Sequence, residues 1–249
     1  MRPFSLLLIP ALPLLSLLAC SKADDTTPAT TPTTVEAAVP EVYRKIYGAS
    51  SITLDGDYVV IKAKNLPDHK SPYYSGTSYE AYNGANAKFK QNPNTIREQN
   101  FTYRIPRHPQ EATRKSATPL GSIGVSLNGV AFFNQYAGPA QPLTNEIDSF
   151  DQYNGHPQGT GIYHYHVEPT YLTISKGRDV LLGFLLDGFP VYGPVENGAA
   201  VTNAALDAYH GHTHATADYP AGTYHYHITN ADPYLNGDGF FGTPGTITQ

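Results

Sequence analysis

One pattern stands twice in this chain, in the same order both times: D-x-Y-x-G-H, a loop, then G-x-Y-H-Y-H. The first copy runs from Asp151 through His156 to Tyr163, His164, Tyr165 and His166. The second runs from Asp207 through His212 to Tyr224, His225, Tyr226 and His227. Two ordered matches of this length do not arise by chance, so both segments fold alike. The Y-H-Y-H string reads as an extended strand, in which alternate side chains share a face. His164 and His166 then point one way and Tyr163 and Tyr165 the other, and the second copy does the same. Of the ten histidines, eight lie between His156 and His227, so the repeat is where their chemistry is concentrated.

Two same-face imidazoles two residues apart can reach one metal ion, and each copy adds a third from a loop, His156 or His212. The candidate ligands are therefore His156, His164, His166, His212, His225 and His227. Two arrangements are open: an open three-His site in each copy, or convergence of the four strand histidines on one closed site. A ladder of hydrogen-bonded Tyr and His without metal is the competing reading. His69, at the end of Asn65-Leu66-Pro67-Asp68-His69, is a further candidate if that loop folds back. His108, His210 and His214 read as surface residues. Asp187, before Gly188, is a turn residue or else the acceptor for a ligand imidazole N–H or a general base. It is the one catalytic candidate. With one Cys and one Met in the chain, a disulfide scaffold and a thiolate or thioether site are excluded. Nitrogen and oxygen donors favour Cu(II) or Zn.

The rest of the sequence is turn-rich. Gly 22 and Pro 21 argue against a helical bundle. Asp55-Gly56 and Asn128-Gly129 mark hairpins, and Val180–Leu186 is an apolar run of the kind a buried strand needs. These predict one mainly β domain over residues 41–249, sandwich-like or a distorted barrel, with short helices such as one near Asn203–Tyr209. A net charge of −5 leaves no basic surplus for nucleic acid. Residues 1–19 read as a lipoprotein signal peptide ending Leu17-Leu18-Ala19 before Cys20, whose thiol is the expected acylation site. Residues 20–40, rich in Thr and Pro, read as a tether. The expectation is a bacterial envelope lipoprotein, held in the outer membrane and exposed at the cell surface if the acidic stretch after Cys20 acts as an export signal. No nucleophile elbow, phosphate-binding glycine loop or calcium loop is present in the sequence.

Taken together, the two Tyr-His-Tyr-His strings, Leu66–His69, Leu127–Val130, Gly155–Pro157, Asp187–Gly193 and Leu206-Asp207 resemble the YHYH-domain family, from about Ser51 to Gly242. The resemblance implies an exported protein and places His69, His156, His164, His166, His225, His227 and Asp187 at the family's motif positions. It also implies cysteines near Tyr153 and Tyr209 in many members, which this chain replaces with tyrosine. The leading functional expectation is a membrane-anchored protein that captures a transition metal through the paired His strands. A metalloenzyme with an open three-His site, hydrolytic, hydrating or oxygen-activating, is the alternative. A Tyr-rich polymer-binding surface is a weaker one.

Overall fold

The Asp55-Gly56 turn closes the first hairpin of the domain, β1 (Ala49–Asp55) with β2 (Tyr58–Ala63). The computed structural model describes residues 38–249, so the signal segment, Cys20 and most of the tether lie outside the described residues. With β3 (Phe101–Pro106) and β12 (Thr246–Thr248), β1 and β2 form a four-stranded antiparallel sheet in the order β1-β2-β3-β12. The larger sheet has eight strands: β4 (Ser122–Ser126), β5 (Ala131–Phe133), β6 (Gly155–Pro157), β7 (Tyr163–Tyr165), β8 (Leu181–Leu185), β9 (Pro190–Tyr192), β10 (Gly211–His214) and β11 (Thr223–His227). Its order is β10-β11-β9-β8-β4-β5-β7-β6.

That order is a palindrome. The hairpin β4–β5, turning at Asn128-Gly129, corresponds to β8–β9, turning at Asp187-Gly188. Each hairpin's second strand pairs in parallel with a Tyr-His strand, β5 with β7 and β9 with β11. Each Tyr-His strand is then capped by an antiparallel edge, β6 or β10. The antiparallel pair β4–β8 joins the halves. Both turn glycines, Gly129 and Gly188, have positive φ (79° and 87°), which L side chains disfavour. The duplication thus begins well before Asp151, at Ile123–Gly129 in one half and Leu182–Gly188 in the other.

Because β7 and β11 are five strand spacings apart, roughly 24 Å along the sheet, the four strand histidines do not converge. The joint site is overturned, and each copy keeps its own. Strand pairing across the middle, which no local pattern encodes, decides this.

The core lies between the sheets. Val59, Ile61, Tyr103 and Ile105 from the small sheet meet Val125, Phe132, Phe184 and Val191 from the large one in one buried cluster. Tyr43 stacks on Phe184 with ring centroids 4.3 Å apart. Strand β8 is buried at every position, as its unbroken apolar run predicts for a central strand. Neither large sheet closes on itself, so the domain is sandwich-like and not a barrel. Among the described residues, helix is limited to α1 (Thr170–Lys176) and short 3₁₀ turns, one of them at Asn203–Ala205. Among the described residues, no helix is long and apolar enough to cross a membrane.

Candidate metal centres

The repeat builds its site through backbone register. Asp151 Oδ1 accepts the N–H groups of Tyr153 (2.9 Å) and Gly155 (3.3 Å), which tightens the turn into β6. Its carboxylate also accepts the hydroxyl of Tyr163, 2.9 Å from each oxygen. Asp207 holds Tyr209, Gly211 and Tyr224 in the same way. The glycine before each loop histidine lies under the ring of that first tyrosine, where a Cβ would come within 2.4 Å of the ring. Asp, Tyr and Gly together fix the ladder so that His156 sits opposite His164, and His212 opposite His225. The loop histidines are therefore strand residues at the sheet edges, and the alternation expected of the Tyr-His strands holds in both.

In the first centre every imidazole is tied by Nδ1. His164 Nδ1 donates to the Ile162 carbonyl at 3.0 Å and His166 Nδ1 to the Asn134 carbonyl. His156 Nδ1 lies 2.7 Å from the Ser149 hydroxyl, which donates to the Glu146 carbonyl, and 3.4 Å from the Asn92 amide nitrogen. A carbonyl can only accept, so His164 and His166 carry the proton on Nδ1 and their Nε2 lone pairs face inward. The Nε2 atoms converge: His156 Nε2 and His164 Nε2 are 3.1 Å apart, and His164 Nε2 and His166 Nε2 are 3.0 Å apart. Glu146 Oε1 stands 3.2 Å from His156 Nε2. Burial drives the His164 imidazole well below its ordinary range, helped by the neighbouring His156 and His166, and lowers His166 to about 4. Burial raises the Glu146 carboxyl, but the hydrogen bond and charge of His156 outweigh it and the net shift is down. Phe133 stacks on His164 at 3.8 Å and Phe150 packs edge-on against His156, so the walls on that side are apolar. Unprotonated acceptors at these separations repel one another unless a cation lies among them. Ligands about 2.0–2.2 Å from a tetrahedral ion are roughly 3.3 Å apart, close to what is seen.

The second centre repeats the scheme. His225 Nδ1 donates to the Thr223 carbonyl at 3.0 Å and His227 Nδ1 to the Gly193 carbonyl at 2.7 Å. Their Nε2 atoms are buried without a hydrogen-bond partner. Glu196 Oε1 lies 3.6 Å from His212 Nε2, 3.7 Å from His225 Nε2 and 3.4 Å from His227 Nε2. Burial holds His225 at about 4 and also lowers His212 and His227. Glu196 is raised by its own partial burial, but the histidine charges, His227 first, bring it down overall. His214 adds a donor: its Nε2 is 2.7 Å from Glu196 Oε1 and 3.0 Å from His212 Nε2. In each centre three histidines and one glutamate place their ligand atoms within 4.8 Å of one another. Such a group can hold a metal ion.

The other candidates go elsewhere. His69 is on the tyrosine face of β7: its ring packs on Tyr153 and Tyr171, and its Nε2 is 3.5 Å from the hydroxyls of Tyr163 and Tyr165. It joins neither centre. Asp187 accepts the Tyr226 hydroxyl at 2.5 Å and the backbone N–H of Gly242 at 2.9 Å. It too is on the tyrosine face, so it neither receives an imidazole N–H nor reaches a centre as a base. Its counterpart Asn128 donates to Tyr165. His210 is buried and bonded to Asn203 and Thr229, not on the surface, because the position before the glycine turns inward with φ 72°. His214 is drawn into the second centre, whereas His108 is exposed. Tyr153 and Tyr209 serve as packing residues against His69 and Phe241.

Both carboxylates escape a reading of the repeat. Glu146 starts the 3₁₀ turn Glu146–Ser149, whereas Glu196 is on the ribbon Val195–Glu196 paired with Ala199–Ala200. They occupy different places in the two halves, so comparing the copies does not find them. Their one signal is a Glu soon after each matched hairpin.

A family model described as YHYH protein matches residues 102–203 and 195–238, and between them these segments hold both repeats and every candidate ligand of the two centres. The chain belongs to the YHYH family. No curated protein and no solved structure matches it. The YHYH signature, in this member, is two copies of one device: tyrosines that lock a strand to its turns and histidines that line a metal-sized gap.

Proposed function

We propose that this YHYH protein is a membrane-anchored lipoprotein of the bacterial envelope that binds divalent transition metal, Zn or Cu(II), at two separate centres. The observation that carries the reading is the set of imidazoles fixed by Nδ1 with their Nε2 atoms aimed at a shared carboxylate, made twice. Neutral imidazole and carboxylate donors suit Zn and Cu(II), with Cu(II) the tighter in the usual divalent order. The chain's Met and Cys are Met1 and Cys20, so neither ligand set contains sulfur. The anchor rests on Leu17-Leu18-Ala19-Cys20 and the Thr/Pro tether, and placement at the outer membrane or cell surface rests on the same segment.

A second reading, a metalloenzyme, attaches to the second centre alone, because Glu196, His214 and His227 also line a large cavity. Metal-bound water there can be acidified toward neutral pH. The tyrosines of the repeat strands, Tyr163, Tyr165, Tyr224 and Tyr226, are buried, so a Tyr-rich binding surface would have to be built from others, such as Tyr47, Tyr79 and Tyr136.

Elemental analysis of the protein purified from its own host's envelope tests the proposal. Two equivalents of Zn, of Cu, or of the two together support it, and metal-free protein from metal-replete cells contradicts it.

A further inference from the structure

The two centres are not equal in their surroundings. The first is the more enclosed: His156, His164 and His166 are 2–3% exposed and walled by Phe133 and Phe150, with Glu146 alone partly exposed. The second differs at two points. Two residues beyond the edge-strand histidine the first copy has Gln158 and the second has His214. The second centre also opens on a cavity of about 1060 Å³, at the upper end of what small-molecule sites occupy.

The charges around that cavity have a direction. Arg44, Lys45 and Lys176 line it, against Asp179, Asp218 and Glu196. Lys45 pairs with Asp218, which also accepts the Tyr192 hydroxyl at 2.9 Å. Arg44 reaches outward to Glu41 at 3.4 Å. The Lys176 ammonium lies 4.7 Å from the centre of the Tyr47 ring and, among the described residues, has no carboxylate partner. Cations and carboxylates balance in the empty cavity, so a divalent ion on Glu196 and its histidines leaves a surplus of two positive charges. Tyr47, Leu127 and Tyr192 supply apolar wall beside them.

Resting on the metal reading above, we propose that the second centre is a ligand-binding centre whose cavity takes a small organic anion, a carboxylate or a phosphate monoester. Its anionic head meets the metal on the side facing Lys176, and its apolar body lies against Tyr47, Leu127 and Tyr192. The first centre, enclosed by aromatic rings, takes no outside ligand. The charge surplus selects the sign of the ligand, and the volume selects a molecule larger than a bare inorganic anion.

The test uses the full chain loaded with Co(II), whose visible spectrum reports its ligands, titrated with azide, benzoate and phenyl phosphate. Metal content is measured first. Saturable spectral changes are expected in the wild type and in His164→Ala/His166→Ala. They should vanish in His225→Ala/His227→Ala and, as a milder variant against misfolding, weaken strongly in Glu196→Gln. Lys176→Gln should leave Co(II) content unchanged and weaken benzoate about fivefold, the scale of one partly exposed charge contact. Two equivalents of Co(II) with no response to benzoate or phenyl phosphate overturn the ligand site and leave the metal reading standing. So does a response that survives loss of the second centre. Failure to take up Co(II) at all overturns both.

Discussion

The ring of Tyr163 lies over Gly155 so closely that a Cβ on that glycine would meet it at 2.4 Å. The same contact joins Tyr224 to Gly211. It couples the tyrosine face of the repeat to the histidine face, because Gly155 is the residue before His156. Gly155→Ala should push the ring aside or slip the β6–β7 ladder, at about 1–3 kcal/mol of overpacking strain. The first centre should then lose metal while the second keeps it. Chemical denaturation with metal counting on the same sample checks both halves of this prediction.

Asp187 gives the domain a pH dependence separable from its histidines. Burial raises its carboxyl from 3.8 to about 6, against the hydrogen bonds from Tyr226 and Gly242. A carboxyl raised on folding contributes stability that is present below about pH 4 and lost as pH rises through about 6, a difference of about 3 kcal/mol. Asp187→Asn, which copies Asn128 in the other half, removes that slope. In chelator, the wild type should lose stability relative to the variant between pH 4 and 7. Parallel curves would contradict this prediction.

Metal affinity at the second centre should resist acid. An ordinary imidazole competes with protons below about 6.5. Here burial lowers His212, His225 and His227, with His225 at about 4. Affinity should therefore persist as pH falls through the ordinary imidazole value and be lost only at lower pH, toward the value of about 4 at His225. Competition titration with a chromophoric chelator across that range measures it, and a midpoint at the ordinary imidazole value would count against the account.

Much of this was legible before the structure. Asp55-Gly56, Asn128-Gly129 and the apolar run at Val180–Leu186 predict their strands and turns, because turn chemistry and burial are local. The repeat itself predicts the histidine face and six of the eight clustered ligands. What stayed hidden depends on tertiary pairing. The central β4–β8 ladder separates the centres. Glu146 and Glu196 arrive from a 3₁₀ turn and a two-residue ribbon that share no pattern. His69 and Asp187 carry motif positions yet face the tyrosines, a distinction that only the strand's facing side reveals.

Cys20 lies outside the described residues, and its acylation is tested directly in cells. Metabolically labelled fatty acid should appear on the wild type and not on Cys20→Ala, and only the variant should be released from the membrane fraction. An unlipidated, uncleaved chain in the envelope would contradict the anchor.

The central claim is two independent metal centres in one domain, and a calorimetric titration with Zn and with Cu(II) at neutral pH, on chain lacking residues 1–40 and any tag, tests it most directly. The account predicts two equivalents in the wild type and in His108→Ala, and one each in His164→Ala/His166→Ala and His225→Ala/His227→Ala. No saturable binding tighter than about tens of micromolar, roughly 6 kcal/mol, would contradict it and leave the histidines as structure.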